Sequence, residues 1–144
     1  METSPLEFDP GIVTRAPLRI LSVEDSPTAQ VLLRHLLQGV APACELMEAQ
    51  DGKSALRLLS SRAVDLIVCD LHMPGLDGPG FLQLLRRNSL LRSKPVLVVT
   101  GSPQDAGPDI TADPCARVLA KPLDAGALGR GLGALLAGAG DRKA

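Results

Sequence analysis

The 144-residue sequence has no tryptophan or tyrosine and only two phenylalanines, Phe8 and Phe81. Its core must therefore be aliphatic, and the aromatic platforms on which single-stranded nucleic acid stacks are absent. Neither sign of charge dominates. Fifteen Lys and Arg against 16 Asp and Glu leave a formal charge of −1, without the clustered cations of a nucleic-acid or membrane-surface footprint. Three cysteines, Cys44, Cys69 and Cys115, are an odd number without metal-ligand spacing. Cys69 lies inside an apolar run, so reduced thiols in a cytoplasmic protein are expected. No apolar stretch approaches the roughly 20 residues of a membrane span. The start, METSPLEFDPG, lacks the basic-then-apolar order of a signal peptide. The length suits one domain with a real core.

What the chain does have is a series of short apolar runs, each ending in a polar residue. Arg19 to Val23 reads as a strand with Glu24 and Asp25 at its carboxyl end. Ser26-Pro27 then supplies an N-cap and a first-turn proline for a helix carrying Val31, Leu32, Leu33, Leu36 and Leu37, ending near Gly39. Cys44 to Ala49 is a second strand, Asp51-Gly52 a turn, and Ala55, Leu56, Leu58 and Leu59 a second helix. Leu66 to Cys69 is a third strand, leading directly to Asp70, with loop chemistry in Met73-Pro74-Gly75 and Asp77-Gly78. A third helix is expected from about Pro79, with Arg86-Arg87 complementing its dipole. Pro95 to Thr100 and Val118 to Ala120 complete the strands, the last closed by Lys121-Pro122.

Two segments are irregular. Residues 101–114 should hold a fourth helix but contain Pro103, Gly107, Pro108 and Pro114. An interior proline costs about 3 kcal/mol, so that helix must be short or displaced. Residues 124–140 show helical spacing of Leu128, Leu132, Leu135 and Leu136, diluted by Gly126, Gly129, Gly131 and Gly133. The G-x-G-x-G there precedes no phosphate-binding turn and is not read as a nucleotide loop.

Alternating strands and helices at this spacing predict an α/β fold with a parallel sheet and right-handed crossovers. Sites in such sheets lie beyond the carboxyl ends of the strands. Those ends carry Glu24, Asp25, Asp70, Thr100 and Lys121. Three carboxylates brought together repel one another and suit a hard divalent cation that keeps some of its waters, such as Mg²⁺. A carboxylate neutralised in this way can attack phosphorus, and a hydroxyl and an ammonium can stabilise the product.

Four segments in this order carry a resemblance: V-E-D-S at 23–26, V-C-D-L-H-M-P-G-L-D-G at 68–78, V-V-T-G at 98–101 and A-K-P-L at 120–123. Residues 18–138 resemble the receiver domain of bacterial response regulators, of the single-domain chemotaxis-regulator kind. The resemblance implies a flavodoxin-like sheet in the order 2-1-3-4-5, a leader over residues 1–17 and a short C-terminal tail over 139–144. It further implies that Asp70 is the phosphoacceptor for a histidine kinase or phosphotransfer protein. Glu24, Asp25, Asp70 and the backbone carbonyl of His72 then hold Mg²⁺. Thr100 is the switch hydroxyl, Lys121 the phosphoryl-binding cation, and the Lys121-Pro122 bond is cis. Gly78 serves the loop after the acceptor.

On this reading the chain is no enzyme beyond autophosphatase action. It is a stand-alone switch, a monomer or weak dimer, signalling to a downstream protein target without nucleic acid or membrane. One departure matters: Val118 stands where the family usually places the aromatic that reports phosphorylation. The alternative is therefore a degenerate receiver acting as a phosphorylation-independent interaction module. A phosphatase with an aspartyl nucleophile would want a second Asp two residues on, where this chain has His72. The imidazoles of His72 and His35 are expected at the surface or in structural roles, and Cys69 in the core.

Overall fold

The computed structural model describes residues 17–143, with side chains through residue 138. The expected leader lies, apart from Pro17, outside the described residues. Five parallel strands, β1 (Arg19–Val23), β2 (Glu45–Ala49), β3 (Leu66–Asp70), β4 (Val96–Thr100) and β5 (Ala116–Ala120), form one sheet in the order β2-β1-β3-β4-β5. This is the doubly wound, flavodoxin-like arrangement expected. The helices are α1 (Pro27–Val40), α2 (Gly52–Ser61), α3 (Gly78–Arg87), α4 (Pro108–Thr111) and α5 (Ala125–Lys143).

Successive strand residues face opposite sides of a sheet, and here that alternation divides the core in two. Leu66 and Val68 of β3, with Leu97 and Val99 of β4, pack with Leu33 and Leu37 of α1 and with Leu128 and Leu132 of α5. Ile67 and Cys69, with Val96 and Val98, pack on the other side with Leu59 of α2, Phe81 and Leu85 of α3, and Ile110 of α4. All five residues of β3 and of β4 are buried, which is why both read as unbroken apolar runs. Phe81, fully buried, is the one aromatic among the described residues, in an otherwise aliphatic interior.

The first three helices start on side-chain caps. Ser26 Oγ accepts from Ala29 N at 3.3 Å, Asp51 Oδ1 from Ser54 N at 2.8 Å, and Asp77 Oδ1 from Gly80 N at 3.0 Å. Each satisfies a backbone donor that the first turn leaves unpaired. The proline-rich segment forms a 3-10 turn at Pro103–Asp105 and the single turn of α4, each opening on a proline at its first position. Only Ile110 anchors α4 in the core. The glycines of α5 do not prevent a helix. A Cβ at Gly131 would lie 3.2 Å from Leu97 Cδ1 and 3.3 Å from Leu119 Cδ1, so that glycine lets α5 sit close on the sheet. The helix also runs to Lys143, past the expected start of a tail at residue 139, because no proline interrupts the backbone there.

Arg86 does more than complement a helix dipole. Its Nε donates to Asp113 Oδ2 at 2.6 Å and its guanidinium also reaches the Lys94 carbonyl at 3.0 Å. Asp113 Oδ1 accepts in turn from Cys115 N at 2.7 Å. The side chains are 21% and 9% exposed, so this pair fastens α3 to the loop that enters β5, next to the truncated α4. Removing one partner of such a pair strands the other charge. Arg86→Ala is expected to lower unfolding free energy by roughly 3 kcal/mol, read as a drop in the urea midpoint with unchanged slope.

Candidate functional site

The carboxyl ends of β1 and β3 lie side by side, since Val23 pairs with Cys69. By strand alternation Asp70 faces the same side as Leu66 and Val68, towards α1 and α5. Continuing each strand by the same rule puts Glu24 after Ile20 and Ser22, and Lys121 after Leu119, on that side too. The geometry agrees. Lys121 Nζ is 3.3 Å from Glu24 Oε1 and 3.7 Å from Asp70 Oδ1. Carboxylate oxygens of Glu24, Asp25 and Asp70 all lie within 4.8 Å of one another.

Burial grades the cluster. Glu24 and Asp70 are 4% and 8% exposed, while Asp25 is at the surface. Glu24 Oε2 accepts from Ser26 N at 3.1 Å. Burial pushes the Glu24 carboxyl above the ordinary glutamate range, and the charge of Asp70 adds to this. The Ser26 N–H and the Lys121 ammonium oppose it. Three carboxylates face one ammonium, so the cluster carries an excess of negative charge on hard oxygen donors. That donor set fits a divalent cation of the Mg²⁺ type.

The loop that follows is held by two glycines. Gly75 has φ +75°, in the left-handed region that a side chain disfavours. A Cβ at Gly78 would lie 2.9 Å from the carbonyl oxygens of Asp70 and Leu71, and Gly78 N donates to Leu71 O at 2.9 Å. Rigid backbone cannot yield there, so glycine alone closes the loop beyond Asp70. The His72 side chain is exposed, with Nε2 3.3 Å from Asp105 Oδ2. His35 is exposed, and Cys69 is buried with its thiol raised by desolvation.

Thr100, also at a strand end, lies on the other side of the sheet from Glu24, Asp70 and Lys121. It follows Val96 and Val98 in alternation, on the α2–α4 side, and is fully buried. Its Oγ1 accepts from Ser102 N at 2.9 Å. Among the described residues its hydroxyl makes no hydrogen bond to Asp70 or Lys121. Half-buried Val118 packs on that same side, as does Ala106. The Lys121-Pro122 peptide is cis, as expected, and Lys121 N donates to Thr100 O at 2.8 Å.

Two features were not anticipated from the sequence. Asp105 reaches His72 from a segment with no motif. Gln30, buried on α1, takes a hydrogen bond from Ser22 Oγ through its Oε1. Its Nε2 donates to the carbonyls of Glu24 at 3.4 Å and Ala49 at 3.3 Å. A signal was present: Gln30 falls in step with Leu33, Leu37 and Val40, the buried positions of α1.

Residues 20–130 match the family model described as the response regulator receiver domain. The chain is 36% identical over 83 residues to the chemotaxis protein CheY of Pseudomonas aeruginosa, a match covering 58% of this chain and 66% of that one. It is 35% identical over 83 residues to the cyclic di-GMP phosphodiesterase response regulator RpfG of Xanthomonas campestris, covering 58% of this chain but 22% of that protein. The chain thus spans less than two thirds of these relatives. Among solved structures, it is similar to the receiver domain of a sensor histidine kinase from Pseudomonas aeruginosa, described with a magnesium ion coordinated in its active-site cleft. That match has TM-score 0.71 and 26% identity, over 85% of this chain and 99% of that one. No helix among the described residues is long and apolar enough to cross a membrane.

The raised Glu24 carboxyl has a measurable cost. A carboxyl whose pKa is higher folded than unfolded stabilises the fold below its unfolded value of 4.5 and loses that contribution as pH rises through its folded value. In Mg²⁺-free buffer, Glu24→Gln is expected to raise the melting temperature at neutral pH. The gain should shrink as pH falls and vanish below the ordinary glutamate range, as followed by circular dichroism.

Proposed function

This chain belongs to the response regulator receiver domain family, and from that premise we propose that Asp70 accepts a phosphoryl group from a phosphohistidine. The proximity of Glu24, Asp25, Asp70 and Lys121 carries this reading. A carboxylate oxygen of Asp70 attacks phosphorus as the bond from phosphorus to the imidazole nitrogen breaks. The displaced imidazole is left on the donor protein. The product is an acyl phosphate, released later when water attacks phosphorus and the Asp70 oxygen leaves.

Glu24, Asp25, Asp70 and the His72 carbonyl would hold Mg²⁺ during this transfer. Bound there, the ion offsets charge on the phosphoryl oxygens and on the attacking carboxylate. Lys121 supplies a second cation: its contact with Asp70 is long enough to be exchanged for a phosphoryl oxygen. The Thr100 hydroxyl keeps a proton free to donate after accepting from Ser102 N. Turning it towards the phosphoryl group would pull on residues 100–102. Residues 18–138 form the receiver unit, and output passes through protein–protein contacts in the cytoplasm, from a monomer or weak dimer, with no nucleic acid or membrane involved.

Val118 in place of the family's aromatic, and the single turn of α4, favour a second reading. On it the domain is an interaction module whose binding does not depend on phosphorylation.

Incubation with acetyl phosphate and Mg²⁺ should add the mass of one phosphoryl group, absent in Asp70→Ala and in excess chelator. Lys121→Ala should slow the reaction about 100-fold. If intact protein gains no mass and its amide spectrum ignores beryllofluoride with Mg²⁺, the phosphorylation reading fails and the module reading stands.

A further inference from the structure

Asp25 is the one exposed member of the acidic cluster, and among the described residues its carboxylate has no hydrogen-bond partner. Nothing attached to the side chain itself therefore aims it. Its direction must come from the backbone on either side, at Glu24 and Ser26. Ser26 is fixed as the cap of α1, and its carbonyl accepts from Gln30 N at 2.9 Å. Glu24 is fixed twice. Its N–H donates to Ala49 O at 3.0 Å, and its carbonyl accepts from Gln30 Nε2.

Gln30 thus meets both sides of Asp25, through its own backbone N–H and through its side chain. Its amide also reaches the Ala49 carbonyl that receives the Glu24 N–H. One side chain therefore joins the carboxyl end of β1, the carboxyl end of β2 and the first turn of α1. The amide has two faces that could exchange N for O, and the carbonyls of Glu24 and Ala49, which only accept, set which is used. Nε2 faces them, and fully buried Ser22 donates to the Oε1 left on the other side. In this arrangement the Gln30 amide and the Ser22 hydroxyl all have partners, as a buried polar network requires. An aliphatic residue at position 30 would fill the same space in α1, so packing alone does not call for an amide.

We propose that Gln30, with Ser22 partnering its amide oxygen, is a positioning residue for the cation-binding carboxylates: it fixes the Glu24 peptide, and through it the direction in which Asp25 presents its oxygens. This rests on the Mg²⁺ reading above. Groups one shell behind a metal ligand typically set affinity by 10- to 100-fold. Gln30→Met, of similar length but without donors, is therefore expected to weaken Mg²⁺ binding to the full-length protein about tenfold. Binding is read directly, by titrating the isotope-labelled protein with MgCl₂ and following its backbone amide resonances.

Phosphorylation by acetyl phosphate should show the same shift in half-saturating Mg²⁺, with the rate at saturating Mg²⁺ kept within about twofold. Arg86→Ala, which weakens the fold at the opposite end of β4, should leave Mg²⁺ affinity unchanged. That separates positioning from general loss of stability. If Gln30→Met does not fold, Ser22→Ala carries the test, with an expected weakening of about threefold. The inference is overturned if wild type binds Mg²⁺ and the Gln30 or Ser22 variant binds it equally well, or if Arg86→Ala weakens binding as much. If wild-type protein binds no Mg²⁺ at all, the cation reading and this inference fall together.

Discussion

Three carboxylates within 4.8 Å of one another are the constraint on which the rest of this structure depends. Like charges at that separation repel strongly once water is displaced, and two of the three are almost fully buried. Lys121 answers part of the repulsion by standing between Glu24 and Asp70. The Glu24 carboxyl stays raised, by burial first and by the Asp70 charge second. The sheet makes the cluster hold together anyway. Residues at the ends of adjacent hydrogen-bonded strands cannot drift apart without breaking the ladder, so the fold supplies the free energy that the charges oppose.

The second organising fact is the division of the sheet into faces. Glu24, Asp70 and Lys121 follow strand positions that pack against α1 and α5. Thr100 and Val118 belong to the side covered by α2, α3 and α4. The acidic edge and the Thr100–Val118 pair therefore occupy different layers, joined at the Lys121 N–H to Thr100 carbonyl bond and through the backbone of β4. Around Val118 that side is thinly covered, by the one helical turn of α4 and its one buried isoleucine. The Arg86–Asp113 pair stands beside this weak region and holds its far end in place.

Much of this was legible from residue order. Apolar runs that stop at an acid, a hydroxyl or a lysine located β1, β3, β4 and β5 and placed Glu24, Asp25, Asp70 and Lys121 at a common edge, because β-strand burial and turn chemistry act locally. The prolines between Gly101 and Pro114 likewise announced a broken helix. Contacts that depend on side-chain reach across the fold were not legible. Arg86 looked like a dipole partner until Asp113, distant in sequence, came within bonding range. Thr100 looked like a crevice residue because strand ends were counted without counting faces. Gln30 was passed over because a polar residue in an amphipathic helix is ordinarily solvated, and only its spacing with Leu33 and Leu37 marked it as buried.

The separation of faces also bears on how such a chain can change over generations. Substitutions at Ile110 or Val118 alter one core cluster and leave the aliphatic packing behind Asp70 untouched. A change at Ile110 or Val118 therefore meets the packing of one face alone, whereas a change at Glu24, Asp70 or Lys121 disturbs a balance of charges shared between strands.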